Sequence, residues 1–282
     1  ALDEWLKWPF LTTHQAHFPI HQFDDIISHT RCNLVLQFTL NQFAIMKYLS
    51  IILLFFAVQT YAQDNIDEQI LTAYIENDVS AWDDILGQLQ ETAESTDDQL
   101  RLGHAAYTAV GTAFGERDME MAGRYLDIAE SALEAVLEAN DEHGAAHGLL
   151  SGVMGMRIAI DESQAMRLGM ASNRHARKAM KYGEEDPVAL AMSASQQIYT
   201  PRQWGGDPEQ GLAYASQSVT IFEEMEAPEK NWRYFEALIL QAEGYKATDQ
   251  KDAARATYLK SLSLQPEFAY VKYYLLPGLD QE

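Results

Sequence analysis

From residue 66 onward, apolar residues recur three and four positions apart and almost never two, which is the period of a helix and not of a strand. Residues 119–139 show it clearly. Ala122, Leu126, Ala129, Leu133 and Val136 fall on one stripe, and Glu120, Arg124, Asp127, Glu134 and Glu138 on the opposite one. The apolar stripe alternates small and larger side chains, which lets a neighbouring helix approach closely. Thr96 to Gln99 reads as a hydroxyl cap with a glutamine three positions on. Asp186-Pro187 and Asp207-Pro208 each pair a capping carboxylate with a proline at the first helical position. Breaks near Asn77-Asp78, Gly115-Glu116, Asn140-Asp141, Gly183-Glu184, Thr200–Gly206, Ala227-Pro228 and Thr248–Lys251 separate the helices. The pattern predicts about ten, at roughly 66–77, 80–94, 96–114, 118–139, 142–160, 162–182, 187–199, 207–225, 229–247 and 250–264, with a short one near 267–275. They pair into hairpins beginning near 66, 96, 142, 187 and 229. A repeat of about 30 to 46 residues predicts an all-α stack in which each hairpin buries its faces against its neighbours.

The pattern before residue 63 is different. Tyr48–Val58 is a continuous apolar run, preceded by Met46-Lys47 and followed by Thr60-Tyr61-Ala62. A charged start, a short apolar run and small residues at a cleavage site are the layout of a secretory signal peptide, and the run is shorter than the roughly 20 residues a membrane span needs. Cleavage after Ala62 is expected, with Gln63 first in the mature chain. Residues 1–45 contain no glycine, half of the eight histidines and the one cysteine, Cys32, and show no sustained helical or strand period. They read as upstream sequence absent from the mature protein, the alternative being a short N-terminal domain. The expected organisation is 1–45 upstream, 46–62 signal peptide and 63–282 helical repeat domain, with the product periplasmic or secreted. No cysteine stands at the cleavage site to take a lipid.

Composition narrows the function. The 282 residues are 47% hydrophobic, enough to bury a core, and carry 42 acidic against 20 basic side chains, a net charge of −22. Residues 1–62 hold three Lys/Arg and four Asp/Glu, so the exported part keeps −21. That surface opposes nucleic acid and anionic lipid and suits a basic protein or peptide partner. Membrane contact is expected only through the signal segment before cleavage. A lone cysteine excludes a disulfide scaffold.

One family resemblance rests on particular residues. Leu238, Ala242, Tyr245, Ala254, Tyr258, Ser261 and Pro266 stand at the large, small, aromatic, small, aromatic, small and proline offsets of a tetratricopeptide repeat. Tyr107, Val110, Gly111 and Phe114, followed by Ala122, Leu126 and Ala129, form a second, similar set with a loop one residue shorter. The hairpins over 142–225 match poorly. The chain thus resembles the tetratricopeptide family, weakly over about 66–276. The resemblance implies a right-handed superhelical solenoid of antiparallel hairpins with a concave groove lined in the last repeat by Glu236, Ile239, Glu243 and Lys246. The segment Tyr199–Gly211, with its Pro-to-Gly-Gly-Asp loop, resembles exported bacterial repeat proteins, including tetratricopeptide components associated with tripartite periplasmic transporters.

Candidate chemistry is sparse. His143 and His147 lie four apart and suggest one helix face that a metal ion would need a third ligand, from His104 or Asp141, to complete. Helix-surface histidines without a metal are the commoner case. Met119/Met121 and Met154/Met156 are spaced by two, which does not share a face, so copper is disfavoured. Gly205-Gly206 reads as a turn ahead of the Asp207 cap rather than an anion cradle. No nucleophile elbow, phosphate loop or zinc-hydrolase motif occurs, and no catalytic residue, metal or cofactor is assigned. The expected function is a non-catalytic scaffold binding a protein or peptide in its groove. A small-ligand or transporter-associated component using Arg202 and Trp204 is the alternative, and a metal enzyme at His143/His147 the third. Trp204 is expected to fold back on a neighbouring helix, with partner contact as the other outcome.

Overall fold

The computed structural model describes residues 66–279; the expected upstream and signal segments, 1–45 and 46–62, lie outside the described residues. No strand occurs among the described residues. The helices are α1 (66–76), α2 (Val79–Thr92), α3 (Thr96–Gly115), α4 (Met119–Ala139), α5 (Gly144–Ile160), α6 (Ala165–Tyr182), α7 (Pro187–Tyr199), α8 (Pro208–Glu223), α9 (Trp232–Ala247), α10 (Lys251–Leu264) and α11 (269–278). None is long and apolar enough to cross a membrane. The predicted limits hold within a few residues, and most of the polar breaks carry side-chain caps, α6 and α10 being the exceptions.

Three hairpins share one turn. Asn77, Arg117 and Asp249 adopt left-handed φ values of 56°, 60° and 58°. The next amide reaches back five residues, Asp78 to Ala73, Asp118 to Ala113 and Gln250 to Tyr245, at 3.0, 3.0 and 2.8 Å. This closes the orphan carbonyls of α1, α3 and α9 as a Schellman turn. Asp78 and Asp118 then cap α2 and α4, accepting from Ser80 N and Met121 N at 2.9 Å each. The hairpins α5–α6 and α7–α8 turn differently. The first passes through a tight turn at Glu162–Gln164 and the second through the 200–206 loop. Those are the hairpins that match the tetratricopeptide pattern poorly.

One cap differs from expectation. Helix α3 is capped by Ser95 and not Thr96. Ser95 Oγ accepts from Asp98 N at 3.1 Å while the Asp98 carboxylate accepts from Ser95 N at 3.2 Å. The reciprocal box is one residue earlier because a carboxylate, not the amide of Gln99, stands at the third helical position.

Consecutive hairpins pack in chain order, α3–α4 on α5–α6, then α7–α8, then α9–α10. The small-residue stripes do the close work. Ala122, Leu126, Ala129, Leu133 and Val136 are fully buried, as are Leu238, Ala242, Ala254 and Ser261 of the last hairpin. Helix α5 starts at a backbone-to-backbone contact. A Cβ on Gly144 would stand 2.6 Å from both the Cα and the N of Gly183, so only glycine fits. The array also meets itself end to end. Tyr74 of α1 packs on Phe268 just before α11 with ring centroids 5.3 Å apart, and Phe268 meets Phe235 of α9 edge-on at 5.8 Å. Ile75 belongs to the same buried cluster as Phe222, Phe235 and Phe268.

Candidate functional site

Helix α9 places Glu236, Ile239, Glu243 and Lys246 three or four residues apart, hence on one face. The structure divides the four. Glu236 is taken up by the protein itself: its two oxygens accept from His104 Nε2 at 2.8 Å and Thr108 Oγ1 at 2.7 Å, both on α3. Its side chain is 12% exposed. His104 is buried against the edge of Trp232 at 4.4 Å, and Arg233 Nε donates to His104 Nδ1 at 3.4 Å. That donor fixes the Nε2–H tautomer, and burial holds the imidazole pKa below its ordinary value, so a neutral histidine donates to a carboxylate. Ile239 is buried. At this level the α9 face is joined to α3 through Glu236.

Glu243 and Lys246, one and two turns further on, lie at a different kind of surface. Glu243 accepts from the Tyr258 hydroxyl. Desolvation first and the Glu243 charge second push the phenol of Tyr199 well above the usual range and raise Tyr270, and at Tyr258 desolvation is followed by the hydrogen bond to Glu243 and then its charge. Tyr270 in turn feels Lys246. Glu243 of α9 is thus hydrogen-bonded to Tyr258 of α10, and its charge bears on the phenols of Tyr199 on α7 and Tyr270 on α11. Inward of them, Tyr107 is buried and bonded to Ser195, and Tyr74 is crowded enough that its phenol is raised too. All these hydroxyls stay neutral at neutral pH and remain hydrogen-bond donors.

The rings are not all covered. Tyr199 is 59% exposed, Tyr270 44% and Tyr274 65%, with Tyr270 and Tyr274 centroids 6.0 Å apart. Helix α11 contains a widened turn over Val271–Leu275. Such turns re-aim side chains and often occur at functional sites. Sequence periodicity did not single out these tyrosines, although four aromatic residues within Phe268–Tyr274 and the 199 position before Thr-Pro were visible signals if residue type rather than period is weighed.

No family model and no curated protein matches the chain. Among solved structures, the HusA haemophore from Porphyromonas gingivalis is similar in fold, at 18% identity and a TM-score of 0.52, over 66% of this chain and 94% of that one. At that identity the likeness is one of backbone arrangement.

The remaining expected site residues fall elsewhere. Trp204 does not fold back; it is 71% exposed at the tip of the short turn Arg202–Trp204. The reason is local. Gly205 takes φ 97°, and Gly206 is pressed so close to Thr200 that an added Cβ would lie 1.8 Å from its carbonyl oxygen. The pinched loop turns the indole outward. Arg202 Nη2 donates to both Glu209 oxygens at 2.9 and 2.8 Å. His143 and His147 do not share a face. His143 caps α5, accepting from Ala146 N at 3.4 Å. His147 is buried, donates through Nε2 to the Asp141 carbonyl, and meets His175 of α6, Nδ1 to Nδ1, at 2.9 Å. Since His147 Nε2 carries its proton, His175 Nδ1 is the donor between them. Among the described residues no three His, Cys, Asp or Glu side chains are grouped to hold a metal ion.

Proposed function

We propose that this chain is an exported, non-catalytic binding protein of tetratricopeptide-like build. Its ligand site is the tyrosine wall around Glu243, and its ligand is a flat, largely apolar molecule of the haem class. The single observation that carries the reading is the pair of solvent-exposed phenol rings Tyr270 and Tyr274, with centroids 6.0 Å apart, beside a third exposed ring, Tyr199, near enough for Tyr270 to act on its phenol. Exposed ring faces supply stacking area, and neutral hydroxyls supply donors for carboxylates at a ligand's rim. The fold likeness to a haemophore, a haem carrier by its title, supports the choice of ligand class. Export is supported by the signal-peptide pattern at 46–62.

The test is a haemin titration of the purified chain, followed by absorbance in the Soret region. Replacing Tyr199 and Tyr270 together by alanine should weaken binding by roughly tenfold or more, about 0.5–1.5 kcal/mol per stacked ring. An unsaturable titration, or an unchanged affinity in the double variant, refutes the reading. A protein or peptide partner remains the second reading, favoured by one observation: Trp204 presents its indole to solvent beside an arginine held by Glu209, and Trp and Arg are the side chains that anchor protein interfaces.

A further inference from the structure

Helix α6 is the exception to the chain's charge. In its 18 residues stand Arg167, Arg174, Arg177, Lys178 and Lys181, and no acid, whereas the whole chain has 42 acidic and 20 basic residues. At 100° per residue these five cations and Met166 and Met170 fall within an arc of about 120°, a ribbon about 22 Å long. The opposite side is the buried one, with Leu168, Ala176 and Ala179. All seven ribbon side chains are exposed; Met166 is 85% and Met170 63% accessible.

The fold gives these cations little to do. Elsewhere Arg101, Arg124, Arg157, Arg202, Lys260 and Lys272 each pair with a carboxylate. None of the five on α6 forms a salt bridge among the described residues. Arg167 donates to the Gln164 side chain at 3.0 Å and Lys181 to the Tyr182 hydroxyl at 3.0 Å. The helix dipole favours the last of them by a few tenths of a kcal/mol, disfavours Arg167 in the first turn, and does not reach Arg174. Like charges three and four apart on a helix repel, so the ribbon costs stability in the isolated chain.

We propose that this ribbon is a docking surface for an acidic, amphipathic helical segment of a partner protein. Charge complementarity selects the sign, and the two accessible methionines supply the adaptable apolar contact seen at helix-binding surfaces. The footprint selects a segment over a membrane. The ribbon is one helix wide and bracketed by exposed carboxylates, Asp161 and Glu162 before it and Glu184 and Glu185 after it. An anionic bilayer would meet those acids and the rest of a −22 chain as well, whereas a segment of four or five turns meets mainly the cations, with Asp141 and Glu142 near Lys181 at one end. The expected preference for basic partners therefore does not extend to this face.

The probe is a fluorescein-labelled amphipathic peptide of about 16 residues built from Glu and Leu at helical spacing, titrated with the whole chain and read by anisotropy. Binding should saturate in the micromolar range at about 20 mM salt and weaken about tenfold by about 150 mM as screening shortens to about 8 Å. Arg174→Gln, Arg177→Gln and Lys178→Gln together should weaken it at least about tenfold with unchanged thermal unfolding, and charge reversal at the same three should abolish it. Met166→Ser with Met170→Ser should weaken it severalfold at both salts. Lys272→Glu, on α11, should leave it unchanged. The proposal is overturned by an unsaturable titration, by a glutamine variant that binds as wild type, by equal loss in Lys272→Glu, or by vesicles containing about 30% phosphatidylglycerol sedimenting the chain through the same three residues. Haemin binding at the tyrosine wall plays no part in this readout, so either proposal can fail alone.

Discussion

Glu236→Ala is the sharpest test of how the helix array holds together. The wild-type carboxylate joins α9 to α3 through two hydrogen bonds that span 132 and 128 residues of sequence. Both are charge-assisted, and bonds to a charged group contribute about 1.5–3 kcal/mol each. Against this stands the desolvation of a carboxylate that is only 12% exposed, which removal relieves. Thr108 has a second acceptor in the His104 carbonyl at 3.0 Å, so its hydroxyl is not orphaned in the variant. The His104 Nε2–H is, in a buried site beside Trp232. The expected net loss is about 2–4 kcal/mol, mostly the cost of that unpaired donor. Glu236→Gln keeps an acceptor oxygen at the same place and should lose only about 1 kcal/mol. Urea unfolding followed by circular dichroism measures both, and amide exchange in α3 should accelerate in the alanine variant first. An alanine variant within about 0.5 kcal/mol of wild type, or a glutamine variant equal to it, would refute the latch.

Two further outcomes follow from the same geometry. The His147–His175 pair is neutral in the fold: burial depresses both, His175 to about 4, with His147, Lys178 and Arg174 adding to the effect. The unfolded chain, with histidines near about 6.5, binds more protons, so this stability is fully present above about pH 6.5 and is lost as the pH falls towards 4. Allowing for the partial exposure of His175, the loss is about 1–2 kcal/mol. His175→Gln should flatten the difference between melting at pH 7 and at pH 4.5, and an unchanged slope in that variant would contradict the pairing. At the Gly144–Gly183 crossing, Gly144→Ala drives a methyl into backbone atoms 2.6 Å away, and a destabilisation of at least about 1–3 kcal/mol should appear in thermal unfolding; a neutral result would mean that the two helices separate at no cost.

Much of the helical architecture was legible because period and punctuation agreed. The Asn77-Asp78 and Arg117-Asp118 breaks were readable as stops, and the structure shows why: a left-handed residue ends one helix and an aspartate caps the next. The small residues chosen for close packing, Ala242 and Ala254 above all, are indeed buried. Failures came where one residue type serves two roles. His143, read as an ordinary helix-surface histidine with a metal pair as the lesser alternative, is a cap. Trp204 was expected inside because tryptophan usually is, yet the Gly206 contact with Thr200 decides its direction, and nothing in the local pattern reveals that contact. Pairings across more than a hundred residues, such as His104 with Glu236, leave no periodic trace. The α6 ribbon is legible as composition, but only the folded helix shows its cations on one exposed face without carboxylate partners among the described residues.

The end-to-end meeting of the array bears on both proposed surfaces in opposite ways. In an open stack of repeats each hairpin answers only to its neighbours, and the ends fray. Here the first helix packs on the segment that leads into the last, through Tyr74 and Phe268, and Phe268 is wholly buried beneath Phe235 as well. The same segment carries Tyr270 and Tyr274 a few residues later. Their backbone is therefore anchored by a core cluster while their rings stay in solvent, which lowers the ordering cost of binding a rigid, flat ligand. Helix α6 has no such anchor beyond its own hairpin and α7. Its cations are long, rotatable side chains, and the surface they make is one that a partner must order. A wall built from buried neighbours suits selection of a shape. A ribbon of mobile charge suits capture of a sign, fast and salt-dependent, and the two should be separable by ionic strength in a single preparation.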